Sequence, residues 1–242
     1  MKDQGRTMIN ISYPAVVGTV HSGASLGAAQ RIRQGGCDWL ELRVDSFFPE
    51  VANLRRIAPK LAVPRIVTVR HPSEGGMARG ISERERRRLY GDFLEVAGLV
   101  DIELRRAAGM KEVIREAKEA GVGVILSHHD FRRTPPLAKL RALARQARDA
   151  GADTFKVAAM TRGARDLAIL IEFLADEKSG LPLAVMGMGT YGKISRLVLA
   201  QAGSCLNYGY LGAANASGQW PVALLKARIA ELRDACDEDA PS

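Results

Sequence analysis

The stretch Trp39-Leu40-Glu41-Leu42-Arg43-Val44-Asp45 alternates: Leu40, Leu42 and Val44 at the even positions, Glu41, Arg43 and Asp45 at the odd ones. Successive side chains leave a strand on opposite sides, so this period of two marks a strand with two unlike faces. The polar face here carries full charges, and the pattern returns along the chain. Thr68 and Arg70 oppose Val67 and Val69, Asp101 and Glu103 oppose Ile102 and Leu104, and Thr154 and Lys156 oppose Phe155 and Val157, with Ser127 and His129 on the same polar parity. Strands are predicted at 15–20, 39–45, 65–70, 99–104, 122–129, 154–160, 183–188 and 205–210. Helical i, i+3, i+4 recurrence fills the gaps, as in Leu137, Leu140, Ala144 and Ala147. Eight strands, each followed by a helix, predict an α/β chain folded as a (β/α)8 TIM barrel. A doubly wound sheet is the competing architecture, but its central strands are covered on both faces and read as continuous apolar runs. Charges converging on a barrel axis are too costly for core filling unless they pair or serve a ligand.

The 242 residues carry 35 Lys and Arg against 27 Asp and Glu, a formal charge of +8, with 47% hydrophobic residues. This is globular composition, and the length allows a full core in one domain spanning 1–242. Residues 1–12 are expected as an arm or a cap under the barrel, and 237–242 as a frayed tail. No run approaches a membrane span, and the first residues show no secretory signal. Cys37, Cys205 and Cys236 are odd in number and lack metal or disulfide spacing, which fits a reducing cytoplasm. Aromatics at 5% leave little on which to stack bases, so the charge does not by itself point to nucleic acid. The run Arg84-Glu85-Arg86-Arg87-Arg88, following Ser82 in capping-box spacing, reads as a solvated helix face.

Four places could carry chemistry. Lys156 sits mid-strand, where burial and nearby cations would favour the neutral amine, a nucleophile able to form a Schiff base; an ion-paired lysine facing Asp101 or Glu103 is the alternative. In Ser127-His128-His129-Asp130 only one imidazole can point inward, and parity with Ser127 selects His129 for proton transfer. A metal reading lacks a supporting His spacing. Gly187-Met-Gly-Thr-Tyr-Gly192 has dinucleotide-loop spacing but lacks the acidic residue needed about 20 positions on; with Lys193 and Arg196 it reads as an anion site. Arg70-His-Pro-Ser-Glu74-Gly-Gly reads as a flexible lid or a plain turn.

Together these segments resemble the type I 3-dehydroquinate dehydratases. The likeness rests on Glu41 to Asp45, Val69-Arg70 with Glu74-Gly-Gly, Asp101 to Leu104, Ser127 to Phe131 with Thr134-Pro135, Phe155 to Met160, Met188 through Ser195-Arg196, and Gly218-Gln219. The resemblance implies dehydration of 3-dehydroquinate to 3-dehydroshikimate through an imine on Lys156, without a cofactor. It implies His129 as general base and acid, with Glu74 assisting it. Arg196 would hold the substrate carboxylate; Glu41, Arg43, Arg70 and Gln219 would bind ring hydroxyls or hold the charge network; Asn215, Met188 and Tyr208 would complete the substrate-binding set. Asn215 stands for a common serine, Ser217 for a proline, Tyr208 for a phenylalanine, and Gly18 sits where a serine often occurs. The expected partner is a small-molecule substrate, with no nucleic acid and no membrane; members are often dimeric, so a homodimer is also expected. Two other readings compete: a class I aldolase-type barrel acting on a phosphorylated keto substrate, and a non-enzymatic basic barrel.

Overall fold

A computed structural model describes residues 14–33, 35–176, 178–214 and 217–238. Eight strands are present: β1 Ala15–Val20, β2 Trp39–Arg43, β3 Arg65–Thr68, β4 Leu99–Glu103, β5 Gly123–Asp130, β6 Thr154–Met160, β7 Leu183–Met188 and β8 Leu206–Tyr210. The helices are α1 Gly23–Arg31, α2 Ala52–Ile57, α3 Glu83–Phe93, α4 Lys111–Glu119, α5 Leu137–Asp149, α6 Ala164–Asp176, α7 Gly192–Gln201 and α8 Val222–Glu238. The hydrogen-bonded order is β7-β6-β5-β4-β3-β2-β1-β8, all parallel. At the β7–β8 seam, the Cys205 amide donates to the Leu183 carbonyl at 2.8 Å and the Val185 amide donates to Ser204 Oγ at 2.9 Å. The sheet is thereby a nearly closed TIM barrel.

Strands β2 and β3 each end two residues sooner than predicted. A 3-10 turn over Val44–Phe47 begins after Arg43, and β3 stops at Thr68. The cause is local: Asp45 Oδ1 accepts the Arg70 amide at 3.1 Å, drawing the backbone out of the ladder. The arm expected at 1–12 lies outside the described residues. The expected tail is partly helical, since α8 runs to Glu238; residues 239–242 lie outside the described residues.

The apolar parity packs outward under the helices, where Leu40, Leu42, Val67, Ile102 and Val157 share one buried cluster. The inward parity is layered along the axis. At the N-terminal ends of the strands it is apolar, with Val17, Trp39, Ile66, Leu99 and Ile125 in a second cluster. Two residues further along, Glu41, Thr68, Asp101 and Ser127 are buried polar groups. The barrel is sealed below and charged above, which places its chemistry at the C-terminal mouth.

The run at 84–88 departs from a wholly solvated face. Ser82 Oγ accepts the Glu85 amide at 3.1 Å and caps α3. Arg86, however, is fully buried, donating to the Val69 carbonyl and pairing with Glu103. Among the described residues no helix is long and apolar enough to cross a membrane.

Candidate active site

Asp101 organises the mouth. Its Oδ2 accepts Lys156 Nζ at 2.7 Å and pairs with Arg70 Nη2 at 2.9 Å, while Oδ1 accepts Ser127 Oγ at 2.6 Å. Burial alone would raise this carboxyl; Arg70 and Lys156 overturn that and hold it far below the usual range. Arg70 also donates to Ser127 Oγ at 2.8 Å and meets Glu103 at 3.3 Å. Arg43 is held as a fork on Asp45, at 3.0 and 2.9 Å, and reaches the Gly75 carbonyl at 3.1 Å. Glu41 accepts Thr68 Oγ1 at 3.1 Å and lies 3.6 Å from Lys156 Nζ.

Lys156 is 3% exposed, with the Tyr208 ring centroid 4.0 Å from Nζ. The charges in contact with it are carboxylates rather than the cations expected, so the resting amine is the ion-paired lysine of the alternative reading. It must hand its proton on before it can attack a carbonyl.

His129 stands on the neighbouring strand, β5, with Ser127 opposite Lys156 in the register. Its Nδ1 lies 2.9 Å from Glu74 Oε2, and its amide donates to the same oxygen at 3.1 Å. A carboxylate at Nδ1 makes that nitrogen the N–H and leaves Nε2 as the free base. Burial, helped by Arg70 and Lys156, holds the imidazole well below its ordinary value. Burial pushes the Glu74 carboxyl up to about 7, against the pull of Arg70 and Arg105. Arg105 Nε touches Glu74 Oε1 at 2.7 Å. His128 lies on the outer side of β5, in a groove of about 650 Å³ with Lys139 and Leu143 of α5. Among the described residues no three His, Cys, Asp or Glu side chains form a group able to hold a metal ion.

Glu74 is carried by a 3-10 turn, Pro72–Glu74, closed by Gly75 at φ 85°. A Cβ on Gly76 would sit 2.1 Å from the Arg70 carbonyl oxygen. The Gly-Gly pair is a tight turn fixing Glu74 under His129, the plainer of the two sequence expectations.

The glycine loop at 187–192 also differs from its expected use. The Tyr191 amide donates to the Thr161 carbonyl at 3.1 Å and the Gly192 amide to the Gly189 carbonyl at 2.9 Å, so neither is offered to an anion. Gly192 is required by close packing: a Cβ there would meet Gly218 Cα at 2.7 Å. The anion-binding capacity lies in Arg196. It is buried on α7, donating to the Gly218 carbonyl and the Tyr208 carbonyl, both at 3.0 Å. Burial alone lowers it to about 10, still a cation at neutral pH, and no carboxylate pairs with it among the described residues. Gln219, Met188 and Tyr208 are buried around the same mouth, whereas Asn215 lies outside the described residues.

Several contributors escape sequence reading. Arg105 has no pattern that announces its contact with Glu74. Thr19 could have been found by parity: it shares the inward parity of Val17, and its Oγ1 is buried without a partner among the described residues. Gly18 faces the other way, where a Cβ would meet Leu211 and Leu40 side chains. The hydroxyl that β1 turns inward is therefore one residue beyond the position flagged.

The family model for type I 3-dehydroquinase matches residues 17–233. The 3-dehydroquinate dehydratase of Methanothermobacter thermautotrophicus is 35% identical over 206 residues, covering 85% of this chain and 90% of the relative. That of Methanosarcina mazei is 36% identical over 218 residues, covering 84% and 88%. Among solved structures, the 3-dehydroquinate dehydratase of Geobacillus kaustophilus superposes with a TM-score of 0.81 at 28% identity, covering 92% of each chain. The type I enzyme of Clostridium difficile, with covalently modified comenic acid, gives 0.82 at 26% identity, covering 92% of this chain and 93% of that one.

Proposed function

We propose a division of labour in the barrel mouth from one premise: the chain belongs to the type I 3-dehydroquinase family and dehydrates 3-dehydroquinate to 3-dehydroshikimate in the shikimate pathway. It is a carbon–oxygen lyase of the class that works through a lysine Schiff base. Within that reaction Lys156 is the amine. Its Nζ passes a proton to His129 Nε2 and attacks the C3 ketone carbon, and the resulting carbinolamine loses its hydroxyl as water to leave a protonated imine. His129 Nε2 supplies the proton that this water needs. The imine is then an electron sink: His129 removes the C2 proton, and the electron pair settles into an enamine. Return of that pair expels the C1 hydroxyl, which takes a proton from His129 and leaves as water. Hydrolysis of the conjugated imine releases the product and restores the amine.

The observation that carries this assignment is the buried Lys156 amine, one strand from an imidazole whose Nδ1 is fixed by Glu74. Arg196 supports the binding mode, as a buried cation left for the substrate carboxylate. Arg43 and Arg70 are engaged by Asp45, Asp101 and Glu103, which favours a role in holding the charge network. Glu41 and Gln219 are assigned to ring hydroxyls, Met188 and Tyr208 to the walls. The phosphorylated-substrate reading loses support, because the amides of Tyr191 and Gly192 are already engaged.

Borohydride added with 3-dehydroquinate is expected to leave a reduced adduct on Lys156, located by mass spectrometry and absent from Lys156→Ala. An unmodified Lys156 in a turning-over enzyme would reject the assignment. The proposal includes no nucleic-acid partner. It keeps a homodimer, to be checked by light scattering, and a cytoplasmic location, with which the free buried thiols of Cys37 and Cys205 agree.

A further inference from the structure

One polar atom in the mouth has no work in the resting protein. Tyr208 is 3% exposed on β8, and its hydroxyl has no hydrogen-bond partner among the described residues. A buried hydroxyl without a partner is costly, and such groups are nearly always satisfied in native structures. The ring is already anchored: the backbone carbonyl of Tyr208 takes Arg196 Nη1 at 3.0 Å, and the ring face lies 4.0 Å from Lys156 Nζ. Asp101 is taken up by Lys156, Arg70 and Ser127, and Glu41 Oε1 by Thr68; none of them accepts the tyrosine hydroxyl, nor does the unpartnered Thr19 Oγ1. Packing would be served as well by a bare ring, so the hydroxyl answers to something that enters the site.

Position narrows what that is. Nζ lies over the ring face of Tyr208, so a carbon bonded to it and an oxygen on that carbon stand within two bonds of an atom on that face. Covalent geometry keeps the tyrosine hydroxyl within one ring radius and one C–O bond of a centroid that is itself 4.0 Å from Nζ. We propose that Tyr208 Oη donates a hydrogen bond to the substrate oxygen at the carbon that joins Lys156, the ketone oxygen before attack and the carbinolamine hydroxyl after it. This rests on the assignment of Lys156 as the imine-forming amine. No proton is transferred to or from the tyrosine, which stays neutral; the donor polarises the carbonyl and holds the oxygen still while negative charge develops on it.

Tyr208→Phe keeps the ring and removes only the donor. The variant is expected to lose about tenfold or more in kcat/KM, the measure of one hydrogen bond at a developing charge. The rate of borohydride trapping on Lys156 in a single turnover should fall by the same factor. The thermal midpoint of the unliganded variant should rise by about 2–4 °C, since an unsatisfied buried group has been removed. Opposite signs in stability and activity separate a ligand-facing hydroxyl from a structural one. Wild-type kcat/KM and trapping rate in Tyr208→Phe, or a lowered thermal midpoint, would overturn the inference. Absence of any adduct on wild-type Lys156 would reject both this inference and the assignment beneath it, whereas equal adduct formation in wild type and variant rejects this inference alone.

Discussion

At the scale of single residues, the site turns on where one proton sits between Glu74 and His129. While Glu74 is ionised, it accepts from Nδ1 and leaves Nε2 free to take a proton. Once Glu74 is protonated, it can donate to Nδ1, the imidazole N–H moves to Nε2, and the base is lost without His129 becoming charged. With Glu74 raised to about 7 and His129 held well below 6.5, the first loss of activity on acidification belongs to the carboxyl. The kcat/KM profile of wild type is therefore expected to fall through an apparent pKa near 7. In Glu74→Gln that limb should vanish, leaving a slower enzyme whose acid limb lies below 6.5. An unchanged limb in Glu74→Gln, measured by the absorbance of the enone product, would show that the carboxyl does not govern the base.

At the scale of elements, helix α3 does more than cover the barrel. Arg86 crosses from it to Glu103 at the end of β4 and to the Val69 carbonyl just beyond β3. Tyr90, one turn on, donates to the Asp101 carbonyl at 2.6 Å and accepts the Val69 amide at 3.2 Å. The helix thus clamps the backbone of Val69, just before Arg70, and fixes the Glu103 carboxylate that Arg70 shares with it. Arg86→Met takes away the cation on Glu103 Oε2 and leaves this buried carboxylate with Arg70 at 3.3 Å and the His71 amide at 2.7 Å, both on Oε1, and should destabilise the fold by about 3–5 kcal/mol. Tyr90→Phe strands an amide and a carbonyl and should cost about 1–3 kcal/mol. Urea unfolding measures both; a loss in Arg86→Met no larger than that of an exposed neighbour such as Arg87→Met would remove the clamp. Sequence could not supply this arrangement. Ser82 and Glu85 announce the start of α3 because capping is local, and helical spacing puts Arg86 on the face of Leu89, Tyr90 and Phe93; the carboxylate that lets a cation be buried there is 17 residues away, beyond the reach of local pattern. The inward residues of β2 to β6 were legible for the opposite reason, since a charge repeated at period two has only one face on which to lie.

At the scale of the whole molecule, the layered interior sets both where chemistry happens and how stability responds to pH. Parity told which side chains point inward but not that Trp39, Ile66, Leu99 and Ile125 close the axis below Lys156, because both layers share one parity and differ only in height. Sealed below, the buried charges titrate against each other. Asp45 and Asp101 are held below their ordinary values, against their own burial, by Arg43 and by Arg70 with Lys156. Below about pH 4 the unfolded chain takes up protons that these two refuse, so stability falls as pH falls. Glu74 acts in the opposite sense: between 4.5 and about 7 the native state keeps a proton that the unfolded chain has lost, and stability falls as pH rises. His129 opposes it over much of the same window, since below 6.5 the unfolded chain binds a proton that the buried imidazole does not, and stability rises with pH. The two slopes oppose each other in the wild type, whose remaining rise towards pH 6.5 comes from His21, His71 and His128, also lowered by burial, and whose stability drops steeply below about 4. Each single substitution exposes the partner. Glu74→Gln should gain stability with rising pH across that window more steeply than wild type, and His129→Gln less steeply, as read from urea midpoints at half-unit steps. Three parallel profiles would mean that neither group is buried as a titrating pair, and the proton between them would no longer explain the acid limb of the rate.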